Sequence, residues 1–118
     1  MAYDEELARR VRDLLAEEAT VADRELTEKR MFGGLGFMVA GNMALAASGQ
    51  GGLLVRVDPA ESEQLVATTP AYPMEMRGRP MAGWLRVDLD ELATDAALAD
   101  WVRRGASYAA TLPAKSAP

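Results

Sequence analysis

Apolar positions recur along this chain with two different periods. Over residues 4–19 the spacing is helical: Leu7, Val11, Leu14 and Leu15 form one stripe. Asp4, Glu5 and Glu6 put negative charge at the positive end of the helix dipole. Glu5 with Arg9 and Glu6 with Arg10 are i,i+4 pairs on the wet face. After a linker at 20–26 the period shortens to that of strands, expected at 27–32, 35–40 and 43–48. A fourth strand is expected at 53–57, where Leu53, Val55 and Val57 share one face and Leu54 and Arg56 take the other. Asp58-Pro59-Ala60-Glu61 carries the capping signals of a short helix ending near Thr69-Pro70. Met74–Arg77 and Trp84–Asp88 read as the fifth and sixth strands, with Gly78-Arg79-Pro80 turning between them. A last helix is expected from Thr94 to Leu112, burying Leu98, Trp101, Val102, Gly105, Tyr108 and Leu112 and stopped by Pro113.

This order predicts one domain over residues 3–112 and a disordered tail at 113–118. Short connections make the meander antiparallel. The architecture is α+β: a two-layer sandwich whose antiparallel sheet of about five to six strands carries helices on one face. The other sheet face is then uncovered and needs charge or a partner. The Gly41-Asn42 pair between two apolar runs supplies the positive φ angles of a tight hairpin, and Gly33-Gly34 opens the first run.

Composition narrows the chemistry. The 118 residues contain neither cysteine nor histidine. Disulfides, thiolate nucleophiles and zinc–thiolate sites are excluded, as are the usual neutral-pH general base and the commonest metal ligand. We expect no cofactor, no metal and no enzymatic activity. The net charge of −5 disfavours direct nucleic-acid binding unless basic residues gather on one face. No apolar run approaches the ~20 residues of a membrane span, and the acidic start Met-Ala-Tyr-Asp-Glu-Glu is unlike a signal peptide. A cytoplasmic protein without membrane contact is the expectation.

Gly33-Gly34-Leu35-Gly36 is followed by a strand rather than by Lys-Ser/Thr and a helix, so it reads as a bulge or a close backbone approach, not a phosphate loop. Arg56, Arg77 and Arg86 fall in strands opposite the core face, with Arg79 in the adjoining turn. Arg30 joins them if its strand is in register. As a cluster they would form an anion or acidic-protein docking patch; alternatively they pair with Glu75, Asp58 and Asp88 as sheet-face decoration. Trp101 and Trp84 sit at core spacing, and Trp84, following Gly83, is the one suited to partial exposure and to anchoring an interface. Met31, Met38, Met74, Met76 and Met81 read as core filler, although methionine-rich surfaces also make adaptable binding sites. The acids Asp88, Asp90 and Glu91, and Glu61 with Glu63, occupy helix starts and serve capping rather than acid–base roles.

Two segments together are specific. Lys29-Arg30-Met31-Phe32-Gly33-Gly34 opens the hairpin, and Gly78-Arg79-Pro80-Met81-Ala82-Gly83-Trp84 precedes the last strand. With Gly41-Asn42-Met43 and Leu54-Val55-Arg56-Val57 between them, the chain from Tyr3 to Leu112 resembles the TfoX N-terminal domain family, TfoX/Sxy. The resemblance implies a small α+β domain with an antiparallel sheet. Longer members are bacterial regulators of natural competence that act with a cyclic-AMP-responsive transcription factor and carry a second, helical domain; this chain reads as a stand-alone first domain. The resemblance carries over no catalytic residue. It makes Met31, Phe32, Gly33, Gly34, Gly78, Pro80 and Gly83 structural positions and leaves Arg79 and Trp84 for interaction. The expected function is a non-enzymatic regulatory module that docks a protein partner, or a second copy, through the open sheet face or the edge near Arg79 and Trp84. The alternatives are a nucleic-acid-binding co-regulator and a small-molecule binder with a closed polar pocket.

Overall fold

The computed structural model describes residues 3–31 and 33–114. Helix α1 (Glu5–Glu17) starts where the Asp4 carboxylate accepts from the Leu7 amide at 3.0 Å, which satisfies one of the orphan N–H groups of the first turn. Its buried stripe is Leu7, Ala8, Val11 and Leu15. A 3-10 turn at Ala19–Val21 sends Val21 into the core. Six strands follow: β1 (Leu26–Met31), β2 (Gly34–Val39), β3 (Asn42–Ala47), β4 (Leu53–Arg56), β5 (Tyr72–Met76) and β6 (Arg79–Val87). Between β4 and β5, Asp58 caps the 3-10 turn Pro59–Glu61 that leads into α2 (Ser62–Thr68). Helix α3 (Asp95–Ala110) closes the domain, with Thr94 Oγ1 accepting from the Ala97 amide at 3.1 Å.

The strands form one antiparallel sheet in the order β1-β2-β3-β4-β6-β5. This is the expected α+β sandwich. Side chains from α1, α2 and α3 meet Leu35, Phe37, Val39, Leu45, Val55, Leu85 and Val87 in a single core. Among the described residues the opposite face of the sheet carries no helix.

Several local boundaries differ from the expected ones. The three meander strands each begin one residue earlier. The β2–β3 hairpin turns on Ala40 (φ 48°) and Gly41 (φ 84°), and Val39 pairs with Asn42. Two consecutive positive φ angles are what a two-residue hairpin loop needs to match strand twist. Asn42 is therefore a strand residue rather than a turn residue. It is buried, and its Nδ2 donates to the Pro113 carbonyl at 2.9 Å, holding the chain after α3 against β3. The β5–β6 hairpin repeats the device with Arg77 (φ 54°) and Gly78 (φ 78°), so β5 starts at Tyr72 and β6 reaches back to Arg79. The last helix ends at Ala110, not Leu112, and Ala106 and Ala109 replace Tyr108 and Leu112 on its buried side. Arg9 bonds Glu6 and Asp13 in place of the expected Glu5, while Arg10 leaves its own helix to reach the Leu92 carbonyl and Asp95. Residues 115–118 of the expected tail lie outside the described residues.

The β2–β3 register shifts between Phe37 and Met38, leaving Ala44 as the extra residue of a bulge. Gly105 of α3 lies on that bulge: a Cβ there would come within 2.6 Å of the Ala44 carbonyl oxygen. The helix thus approaches the sheet at a distance only glycine permits.

Candidate docking groove on the uncovered sheet face

Alternation along the strands decides which side chains face away from the helices. Leu35, Phe37 and Val39 of β2 point into the core, so Gly34, Gly36 and Met38 take the free face. Register carries the pattern outward. Met31 lies beside Gly34, Met43 beside Met38, Ala46 between Gly36 and Leu54, Leu54 beside Arg86, and Arg56 beside Trp84. Small residues in the middle and long flexible ones at the sides make a hollow.

That hollow has a volume of about 360 Å³. Gly34 and Ala46 contribute to its floor, and Met31, Met43, Met74, Met76, Met81 and Trp84 to its walls. Gly36 lies beneath: a Cβ on it would meet the Met43 sulfur at 3.1 Å and the Met31 methyl at 3.6 Å. Gly34 is pinned as well, because a Cβ would fall 2.5 Å from the Ala47 carbonyl oxygen. Met31 belongs to one edge strand of the sheet and Met74 and Met76 to the other. In a flat sheet those edges would be five strand spacings of about 4.8 Å apart, or roughly 24 Å. Their sharing one hollow means the sheet curls around its uncovered face. Two features favour the curl. Only residues 84–87 of β6 pair with β4, so the outer β5–β6 hairpin extends beyond β4. Gly83, at φ 88°, bends the strand there, and its carbonyl accepts from the Val57 amide at 2.8 Å.

The methionines are therefore not core filler. None of the six within the described residues belongs to the buried core, and Met76 is 47% exposed. Both readings of a methionine look alike in sequence, because an unbranched thioether suits a core gap and an adaptable surface equally. Met43 also belongs to the walls; in the sequence it stands out only as part of the Gly41-Asn42-Met43 motif.

The five interaction residues expected from sequence do not form one patch. Arg56 and Arg86 share the free face on neighbouring strands. The Arg56 guanidinium stacks 5.2 Å from the Trp84 ring centroid and 5.9 Å from that of Tyr108. Arg86 is tied down, donating to Ser48 Oγ at 3.0 Å and to the Gly51 carbonyl at 3.1 Å. Arg77 is in the β5–β6 turn, not a strand, and Arg79 opposite Met76 is in a strand, not a turn. These two are exposed at the far end of the hairpin. Trp84 is half-buried in the groove wall, whereas Trp101 is buried in the core. Pairing with Glu75, Asp58 and Asp88 does not occur either: Asp88 accepts from the Tyr72 hydroxyl at 2.7 Å, and among the described residues no ion pair engages Arg56, Arg77, Arg79 or Arg86. Of the remaining motif positions, Met31 lines the groove, Gly33 (φ 76°) and Gly78 lie in hairpin turns, and Pro80 is exposed in β6. Phe32 lies outside the described residues.

Chemically, the groove is mostly thioether, with one indole, Leu54 and small residues; Ser48 and Gln50 add neutral polar groups, and Glu75 and Arg86 are its ionisable groups. Among the described residues no helix is long and apolar enough to cross a membrane, and no cluster of three or more carboxylates is arranged to hold a metal. A family model described as the TfoX N-terminal domain matches residues 13–109. No curated protein and no solved structure matches the chain.

Proposed function

The chain belongs to the TfoX N-terminal domain family, and from that premise we propose that it is a non-enzymatic regulatory domain that docks a protein partner through its uncovered sheet face. The observation that carries this reading is the groove itself. A sheet needs a cover on each apolar face, and here one face has helices and the other has a hollow walled by methionines. Thioether side chains adapt to the shape of what they contact and bury polarizable surface on binding. Trp84 in the wall, held by Arg56, is the residue type that carries a large share of interface energy. The hollow falls within the ~300–1,000 Å³ of ligand pockets, but it is an open trough across a sheet rather than an enclosed polar chamber, which suits side chains of a partner better than a small substrate.

Photo-methionine tests this directly, because it places the cross-linker in the groove. Irradiation of cells expressing the labelled domain should produce a discrete protein adduct whose cross-link maps to Met43, Met76 or Met81. The Met81 adduct, whose cross-linker is retained, should be lost when Met43 and Met76 are replaced by Glu in a protein that still unfolds cooperatively. Adducts mapping only outside the groove, or surviving that double substitution, would sink the proposal.

A further inference from the structure

We infer that the groove is built for an acidic segment bearing apolar side chains; this rests on the docking reading above and adds the chemistry of the partner. Charge is distributed unevenly over the molecule. The protein carries −5 overall, yet the six strands and the Arg77-Gly78 turn hold six cations (Lys29, Arg30, Arg56, Arg77, Arg79 and Arg86) and two carboxylates, Glu28 and Glu75. The sheet layer is therefore +4 and everything else −9.

The carboxylates of the sheet do not cancel its cations. Glu28 is taken by Arg12 of α1, at 3.0 Å through Nη2. Among the described residues every ion pair uses an arginine from outside the sheet, and none of the six sheet cations has a carboxylate partner. Elsewhere pairing prevails: of the six described arginines outside the sheet, Arg9, Arg10, Arg12, Arg24 and Arg103 are paired, and Arg104 lies over the Trp101 ring instead. Arg86 lines the trough and Arg79 stands opposite Met76 in its wall; guanidiniums without a carboxylate partner present bidentate donors for carboxylates at the rim, while the trough takes apolar side chains. Lys29 and Arg79 stand at opposite sides: Lys29 pairs with Gly36 beneath the groove, and Arg79 pairs with Met76 in its wall.

The same charge argues against a second copy as the occupant. Two copies meeting face to face would set +4 against +4, and like charges across an interface cost several kcal/mol. A positive face also attracts a phosphate backbone, but single-stranded nucleic acid needs free aromatic platforms, and the Trp84 ring of the groove wall is already stacked on Arg56.

The experiment is selection from a random peptide library displayed on phage, panned on the folded protein. Selected peptides should be rich in Asp and Glu interspersed with Leu, Ile, Phe or Trp. They should shift amide resonances of groove residues, weaken with added salt, and lose about tenfold or more in affinity to the Lys29→Glu/Arg79→Glu variant. Both side chains are exposed and unpaired, so circular dichroism should show that variant folded. Peptides that shift the groove without an acidic bias would overturn the acidic-partner inference and leave groove docking standing. Groove shifts produced by oligouridylate and by no peptide would overturn both. Peptide-free self-association abolished by the same double variant would assign the face to a second copy and overturn the inference.

Discussion

At the scale of single residues, the turns and the helix contact carry most of the specification. Ala40 and Arg77 hold positive φ angles of 48° and 54°, which cost an L-residue roughly 1–2 kcal/mol. Asparagine tolerates that region, and Asn before Gly suits a two-residue hairpin. Ala40→Asn and Arg77→Asn should therefore each stabilise the fold by about 0.5–1 kcal/mol in urea unfolding. A loss of stability at either site would mean the turn is not of this type. Gly105→Ala should act oppositely. Alanine gains up to about 1 kcal/mol of helix propensity, but its Cβ would meet the Ala44 oxygen at 2.6 Å and Leu45 Cγ at 2.9 Å. Overpacking of that kind costs about 1–3 kcal/mol, so net destabilisation of about 1–2 kcal/mol is expected. A neutral result would show that α3 can lift from β3 at little cost.

At the scale of elements, β1 is an exposed edge strand that relies on α1 and on its own charges. Glu28-Lys29-Arg30 blunts an edge that would otherwise template pairing with another chain. The Arg12 side chain bonds the Glu28 carboxylate twice and holds its pKa below the usual glutamate value. The unfolded chain thus takes up this proton at a higher pH than the folded one does. The contribution of the pair is full above the ordinary glutamate value and is lost as pH falls through the lowered native value. Because both groups are partly exposed, the contribution is small, about 0.2–1 kcal/mol. The stability gap between the wild-type protein and Glu28→Gln should have that size at neutral pH and close in acid. A gap that stays constant down the pH range would show that the charge of Glu28 is not what joins β1 to α1.

At the scale of the whole molecule, the two layers divide the work. The aliphatic core between helices and sheet holds the fold, and the thioether face is free to contact something else. Mild peroxide treatment separates the two roles. Met76, the most exposed methionine of the groove, should oxidise among the first. Since no described methionine belongs to the core, sulfoxide formation should leave far-UV circular dichroism and the thermal midpoint nearly unchanged. It should weaken binding by peptides that occupy the groove, because the sulfoxide turns an apolar wall polar. Unfolding in step with the oxidation of Met31, Met43 or Met81 would show that these side chains hold the sheet together.

The elements, their order and the family were legible in the chain itself, because they depend on near neighbours. A capping Asp4, a stripe at Leu7 and Val11, an alternation at Leu53, Val55 and Val57, and the glycines of the hairpins all act within a few residues. The α+β class follows from them, since short antiparallel connections leave helices only one face to cover. The one-residue offset of the β2–β3 turn marks where local reading reaches its limit: Gly41 was visible, but the burial of Asn42 against Pro113 is a contact across 71 positions. The groove was decided entirely in three dimensions. Met31 and Met76 meet because the sheet curls, the arginines separate because β6 begins at Arg79, and the positive layer emerges only once register places six scattered cations on one sheet. Sequence spacing encodes which way a side chain points from its own strand; only lateral strand order and curvature decide what it faces.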